Sequence, residues 1–134
     1  MKTYSLPLSC FLLILAAAIT LACGSRMLKS VSLSPPSANA SGNPVQFTAT
    51  GYYNMGPMTV TPLEALWGVC YQGNFTSAVS VSQNGLAQCG AGSVGTYTVW
   101  ADAPSGSTGP CSQHISACGV ADCQITGAAQ LTCP

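Results

Sequence analysis

Charge is what this chain has least of. Of 134 residues, three are Lys or Arg, three are Asp or Glu and one is His. Binding nucleic acid takes a basic patch to hold phosphates, and so few cations cannot build one, so nucleic-acid partners are excluded. Acid–base chemistry is starved in the same way. Glu64 is the only glutamate, and Asp102 and Asp122 fall in segments away from it, so a facing pair of carboxylates is not expected. The single histidine, His114, would need Asp102 or Asp122 to complete a serine triad, and no Gly-x-Ser-x-Gly nucleophile elbow is present. His114 with Cys111, Cys118 and Cys123 offers ligands that zinc accepts, but the spacing lacks paired short knuckles, and exported thiols form disulfides instead. The expectation is no enzyme, no metal and no cofactor. Helical periodicity is also missing, and there is one long apolar run.

That run, from Cys10 to Ala22, follows the positive charge of Lys2 and ends in small residues. It has the layout of a secretory signal and is shorter than the roughly 20 apolar residues of a membrane span. Its end, Leu21-Ala22-Cys23, resembles the lipobox of bacterial lipoproteins, with Thr20 departing from the usual Leu. The resemblance implies cleavage before Cys23 and acylation of Cys23 with palmitate-type chains. Gly24 in place of Asp implies the outer membrane rather than the inner. Two or three chains, at about 0.8 kcal/mol per buried CH2, anchor firmly. Residues 1–22 are thus expected to be a lipoprotein signal peptide and 23–30 a lipidated tether to the cell envelope.

Eight cysteines are present. Cys10 leaves with the signal and Cys23 takes the lipid. Cys70, Cys89, Cys111, Cys118, Cys123 and Cys133 remain, an even set that in an exported chain implies disulfides of unspecified pairing.

The rest reads as short strands between turns. Val31-Ser32-Leu33 is an edge strand stopped by Pro35-Pro36. Val45 to Thr50 alternates, with Val45, Phe47 and Ala49 on one face. Ala65 to Tyr71 puts Trp67 and Val69 inward and Cys70 outward. Ala78 to Ser82 and Leu86 to Cys89 flank Asn84-Gly85, the pattern of a type I′ hairpin. Thr96 to Ala101 turns Tyr97, Val99 and Ala101 inward and Trp100 outward. With Leu86 assigned to the core, Cys89 falls on the outer side beside Cys70, and parity pairs the two across a loop worth roughly 3 kcal/mol. Residues 104–134 form a linker and a Cys-rich tail, too small for its own core. In it, Gln124-Ile125-Thr126 and Gln130-Leu131-Thr132 suggest a hairpin about Gly127, and two places are open to Trp100, under the tail or half exposed at the strand end. The fold expected is an all-β sandwich over 31–103 with a disulfide-rich C-terminal tail.

Ser34-Pro35, Val45 to Gly51, Ala65-Leu66-Trp67, Val79 to Ser82 with Asn84-Gly85-Leu86, and Ala91-Gly92 leading into Gly95 to Val99 together resemble the bacterial immunoglobulin-like domain, group 2, of intimin- and invasin-type surface proteins. The resemblance implies an immunoglobulin-like β-sandwich in a surface setting and carries no catalytic residues. Cys70 and Cys89 are additions to that family's pattern. A structural or adhesive role toward another envelope protein is the expected function. The alternative is a glycan-binding module that uses exposed Tyr52, Tyr53, Tyr71 or Trp100, since aromatic faces stack on sugars.

Overall fold

The computed structural model of the protein describes residues 25–106, 115–118, 120, 121 and 124–134. The signal segment, Cys23, Cys111, His114, Asp122 and Cys123 lie outside the described residues. Among those described there is no helix. The strands are β1 (Leu28–Ser34), β2 (Ser37–Asn39), β3 (Val45–Gln46), β4 (Thr48–Tyr53), β5 (Thr59–Val60), β6 (Leu66–Tyr71), β7 (Asn74–Phe75), β8 (Val79–Val81), β9 (Leu86–Cys89), β10 (Gly95–Pro104), β11 (Ile115–Ala117), β12 (Val120–Ala121) and β13 (Gln124–Cys133).

They stack as a sandwich. One layer holds β1-β4-β5 and β3-β9-β8, joined because β3 and β4 are successive parts of one extended run around Phe47. The other layer is the five-stranded sheet β2-β13-β10-β6-β7. The chain changes layers at Pro35-Pro36, where two residues without N–H groups end the ladder of β1 against β4. It then joins the second sheet as β2, parallel to β13, with Ser37 opposite Gln130. This two-layer strand order is that of immunoglobulin-like sandwiches.

The core lies between the layers. Phe47, Val99 and Leu131 are fully buried, with Val31, Leu33, Ala49, Val69, Val79, Ala87, Tyr97 and Ala101 around them. A buried Leu, Val or Phe is worth about 1.5–3 kcal/mol, so alternation along β4, β6 and β10 suffices to fix their register. Gly127 allows a close crossing. A Cβ there would come within 2.7 Å of Val31 Cγ1 and 2.9 Å of the Val31 carbonyl, so β13 passes under β1 only because it lacks a side chain.

The structure corrects several expectations. The C-terminal segment is no appendage. β13 pairs with β10 along ten residues, from Gly95 opposite Cys133 to Pro104 opposite Gln124, and forms an inner strand of the sheet. The hairpin expected about Gly127 is therefore one unbroken strand. Its own alternation explains this, because Gly127, Ala129, Leu131 and Cys133 are buried while their neighbours are more exposed. The small two-stranded piece is instead β11–β12, in the connection between β10 and β13.

The Asn84-Gly85 hairpin does join β8 to β9. Its turn is not type I′, since Gly85 has φ of +79° and Asn84 is not in the positive-φ region. Instead Gly85 N–H donates to the Ser82 carbonyl at 3.0 Å, and Ser82 Oγ accepts from the N–H of Leu86 at 3.1 Å. The side chain of Ser82 thus sets a wider loop with glycine at its fourth position.

Candidate functional site

The parity of β9 decides the cysteines. Ala87 is fully buried, while Leu86 is 43% exposed. The short alanine, not the leucine, faces the core, so Cys89 faces inward as well. Cys70 is on the other face of its sheet, because Val69 is its core-facing neighbour. Cys70 thus lies on the outer side of the five-stranded sheet, while Cys89, on the other layer, faces its inner side, and the two do not pair. Cys89 bonds to Cys133 with a Cα–Cα distance of 5.9 Å, linking the two layers through the core. Cys70 bonds to Cys118 at 5.7 Å, fixing the β11–β12 connection onto the outer face.

Beneath that bond part of the outer face of this sheet is itself buried, around Trp100 and Asp102, while Leu66, Thr126, Ala128 and Gln130 on the same face are exposed. Trp100 is 2% exposed, and its six-membered ring occupies the space a side chain on Gly68 would need. Gly68 stands opposite Trp100 in the β6–β10 ladder. Phe75 meets the indole edge-on at a centroid distance of 6.2 Å. Two residues along β10, Asp102 is 1% exposed. Its carboxyl pKa is raised by burial, an effect only partly countered by the nearby Thr126 hydroxyl. Both Asp102 oxygens, Trp100 Nε1 and Gln124 Oε1 have no well-formed hydrogen bond among the described residues.

An open cleft lies on the core-facing side of β6, at Trp67. It has a volume of about 470 Å³ and is bounded by β3–β4, by Pro62 to Glu64 and by the β8–β9 turn. It lies where β4 takes β5 as its neighbour past Gly51 while β3 pairs with β9, so that between them the edge from Phe47 to Ala49 is met by single hydrogen bonds to Gly85 at 2.9 Å and from Leu63 at 2.8 Å. Trp67 reaches across from β6 and half fills the opening, its ring against Gly85. The floor is apolar (Phe47, Leu63, Trp67) and the rim is polar (Gln46, Gln83, Asn84, Glu64). Gln46 Nε2 is committed to the carbonyls of Phe47 and Asn84 at 2.7 and 2.6 Å. Its Oε1 thus remains to accept a bond from a ligand. A second hollow on the far side of Trp67 shares Glu64, Gln83 and Asn84.

The four aromatics expected to bind are not brought together. Tyr52 is 43% exposed on β4. Tyr53 is half-buried, with the Arg26 guanidinium 3.7 Å above its ring. Tyr71 stacks on Tyr97 at 4.9 Å near the opposite end of the sandwich. Trp100 is covered and unavailable. The residue missed was Trp67. Its pairing with the Asn84-Gly85 turn was the available signal, since a glycine is needed where an indole lies on the backbone. No group of His, Cys, Asp and Glu among the described residues is arranged to hold a metal.

No protein-family model matches the chain, and no curated protein matches it.

Proposed function

We propose that the chain is a non-catalytic lipoprotein of a bacterial cell envelope, carrying one immunoglobulin-like domain of the group 2 kind and anchored through acylated Cys23. Its role is structural or adhesive toward another envelope protein. The observation that carries this reading is the pair of disulfides, Cys70–Cys118 and Cys89–Cys133, which persist only in an oxidising compartment and so agree with the export signal and the lipobox-like Cys23. The scatter of Tyr52, Tyr53, Tyr71 and Trp100 further favours a protein-facing scaffold over a sugar platform built on them. Intact mass of the membrane-fraction protein tests it. A chain starting at Cys23 with two or three acyl groups is expected. An unlipidated start elsewhere would refute the anchor.

A second reading, glycan binding, moves from those four residues to the cleft, where an indole, three amides and one carboxylate surround an apolar floor. Such a mix suits the faces and hydroxyls of a sugar ring. Titrating envelope glycans against intrinsic fluorescence tests it. Binding that is lost in both Trp67→Ala and Gln83→Ala would establish it, and no response to any glycan would remove it.

A further inference from the structure

The first described residues are fastened to one corner of the sandwich. Met27 N–H donates to Asn54 Oδ1 at 2.7 Å, and Asn54 N–H donates back to the Met27 carbonyl at 3.1 Å. Arg26 donates to the Pro57 carbonyl at 2.7 Å. Leu28 N–H donates to Ser105 at 3.0 Å, which ties the same corner to the end of β10. The expected tether of residues 23–30 is thus largely structured. Met27 is four residues from Cys23, a reach of at most about 14 Å.

What stands at that corner is the β4–β5 hairpin tip. Met58 is 66% exposed, Tyr52 43% and Met55 41%, three large side chains that leave apolar surface in solvent, with only the Tyr52 hydroxyl held, by Ser32 Oγ at 3.4 Å. Arg26 and Lys29, the only cations after the signal segment, are at the same end and exposed. Of the acidic residues described, Asp102 is buried, and Glu64 lines a hollow together with Arg26 and Tyr53, so this end carries two cations against one carboxylate. Apolar side chains flanked by cations, within a short chain of an acylated residue, match the interface of an anionic bilayer.

The geometry points to a membrane-docking surface: the tip formed by Tyr52, Met55 and Met58, with Arg26 and Lys29, rests in the headgroup region of the membrane that holds Cys23. The assignment rests on the lipid-anchor reading above. It sets the domain's orientation, with β10 rising from the bilayer and its far end, at Gly95, about 30 Å outward at 3.3 Å per residue. The Gly90–Val94 loop and the exposed Tyr71 then face outward, where a partner would meet them.

The test uses the full lipidated chain in vesicles of phosphatidylethanolamine and phosphatidylglycerol, with and without bromine on the acyl chains near the headgroup. Met58→Trp and Val94→Trp each add one indole, at the tip and at the far end, above the constant background of Trp67 and Trp100. Flotation with the vesicles and the acylated mass are read in parallel. Expected are flotation of both variants, at least twofold quenching of the fluorescence added by Met58→Trp, and none of that added by Val94→Trp. Arg26→Glu with Lys29→Glu should at least halve the Met58→Trp quenching while flotation persists. Flotation without selective quenching would overturn the docking surface and leave the anchor standing. Burial of the added indole only in native envelopes would assign the tip to a protein partner and overturn the lipid assignment. Failure to float, with no acyl mass, would remove the anchor and the docking surface together.

Discussion

From Val99 to Ala103 β10 is buried on both faces, and the two faces are built differently. Inward it presents Tyr97, Val99, Ala101 and Ala103 to an apolar core closed by the opposite layer and crossed by Cys89–Cys133. Outward it presents Trp100 and Asp102, with Cys70 on the neighbouring strand bonded to Cys118. The inner face is held by close packing of many apolar groups. The outer face combines one large aromatic, one disulfide and polar atoms without well-formed partners among the described residues. A sandwich strand ordinarily wets its outer face, so a second buried face needs a cover, and the Cys70–Cys118 bond supplies its attachment.

The largest test of that contrast is to cut the inner bridge. With a sequence separation of 44 between its ends, Cys89→Ala with Cys133→Ala should lower the unfolding free energy by about 4 kcal/mol in guanidine titrations. The outer bridge spans a similar 48 residues. Cys70→Ser with Cys118→Ser should nonetheless cost less, about 2 kcal/mol, because the released cover also gains freedom in the native state. In that variant Trp100 fluorescence should become quenchable by iodide while amide exchange in β13 stays slow. Equal losses, with Trp100 still shielded, would show that the cover holds without its bond.

Gly68→Ala attacks the outer face by overfilling it. The added methyl group collides with the Trp100 ring, and a destabilisation of about 2 kcal/mol is expected from denaturation, with a change in near-ultraviolet circular dichroism. The smallest effect belongs to Asp102. Burial raises its pKa, so the folded state holds the proton more tightly than the unfolded chain. Its contribution is therefore fully present below the ordinary carboxylate value of 3.8 and is lost as pH rises toward the raised folded value. Asp102→Asn should flatten this decline and stabilise the protein at pH 7 by about 1 kcal/mol, read from melting curves across pH.

Much of the inner face was legible in the sequence, because alternation is a local property. Phe47 and Ala49, Val69, and Tyr97 with Val99 and Ala101 all face the core as their spacing implies. Reasoning by size failed at Leu86-Ala87, where a leucine is left exposed so that the alanine and Cys89 face inward, and that one inversion carried the wrong disulfide with it. The C-terminal strand was hidden for another reason. Gln124 to Cys133 is rich in small and polar residues because β10 and β2 flank it and β1 crosses closely at Gly127. Its partners are distant in sequence, and composition alone made it resemble a tail. The cleft at Trp67 depends on which strand ends stop short, which no local pattern encodes. The outer face was readable only in part. The outward direction of Trp100 and one of its two open places, under a covering segment, followed from parity, and the Cys70–Cys118 bond that attaches the connection did not.

The most direct measurement is a non-reducing peptide map of the purified protein, digested with pepsin under acidic conditions that block thiol exchange. The account predicts linked peptides joining Cys70 to Cys118 and Cys89 to Cys133, the first across the outer face and the second through the core. A peptide joining Cys70 to Cys89 would contradict it, since the two lie on different layers and that bond requires Cys70 to turn inward in place of Val69 and Cys89 to leave Cys133.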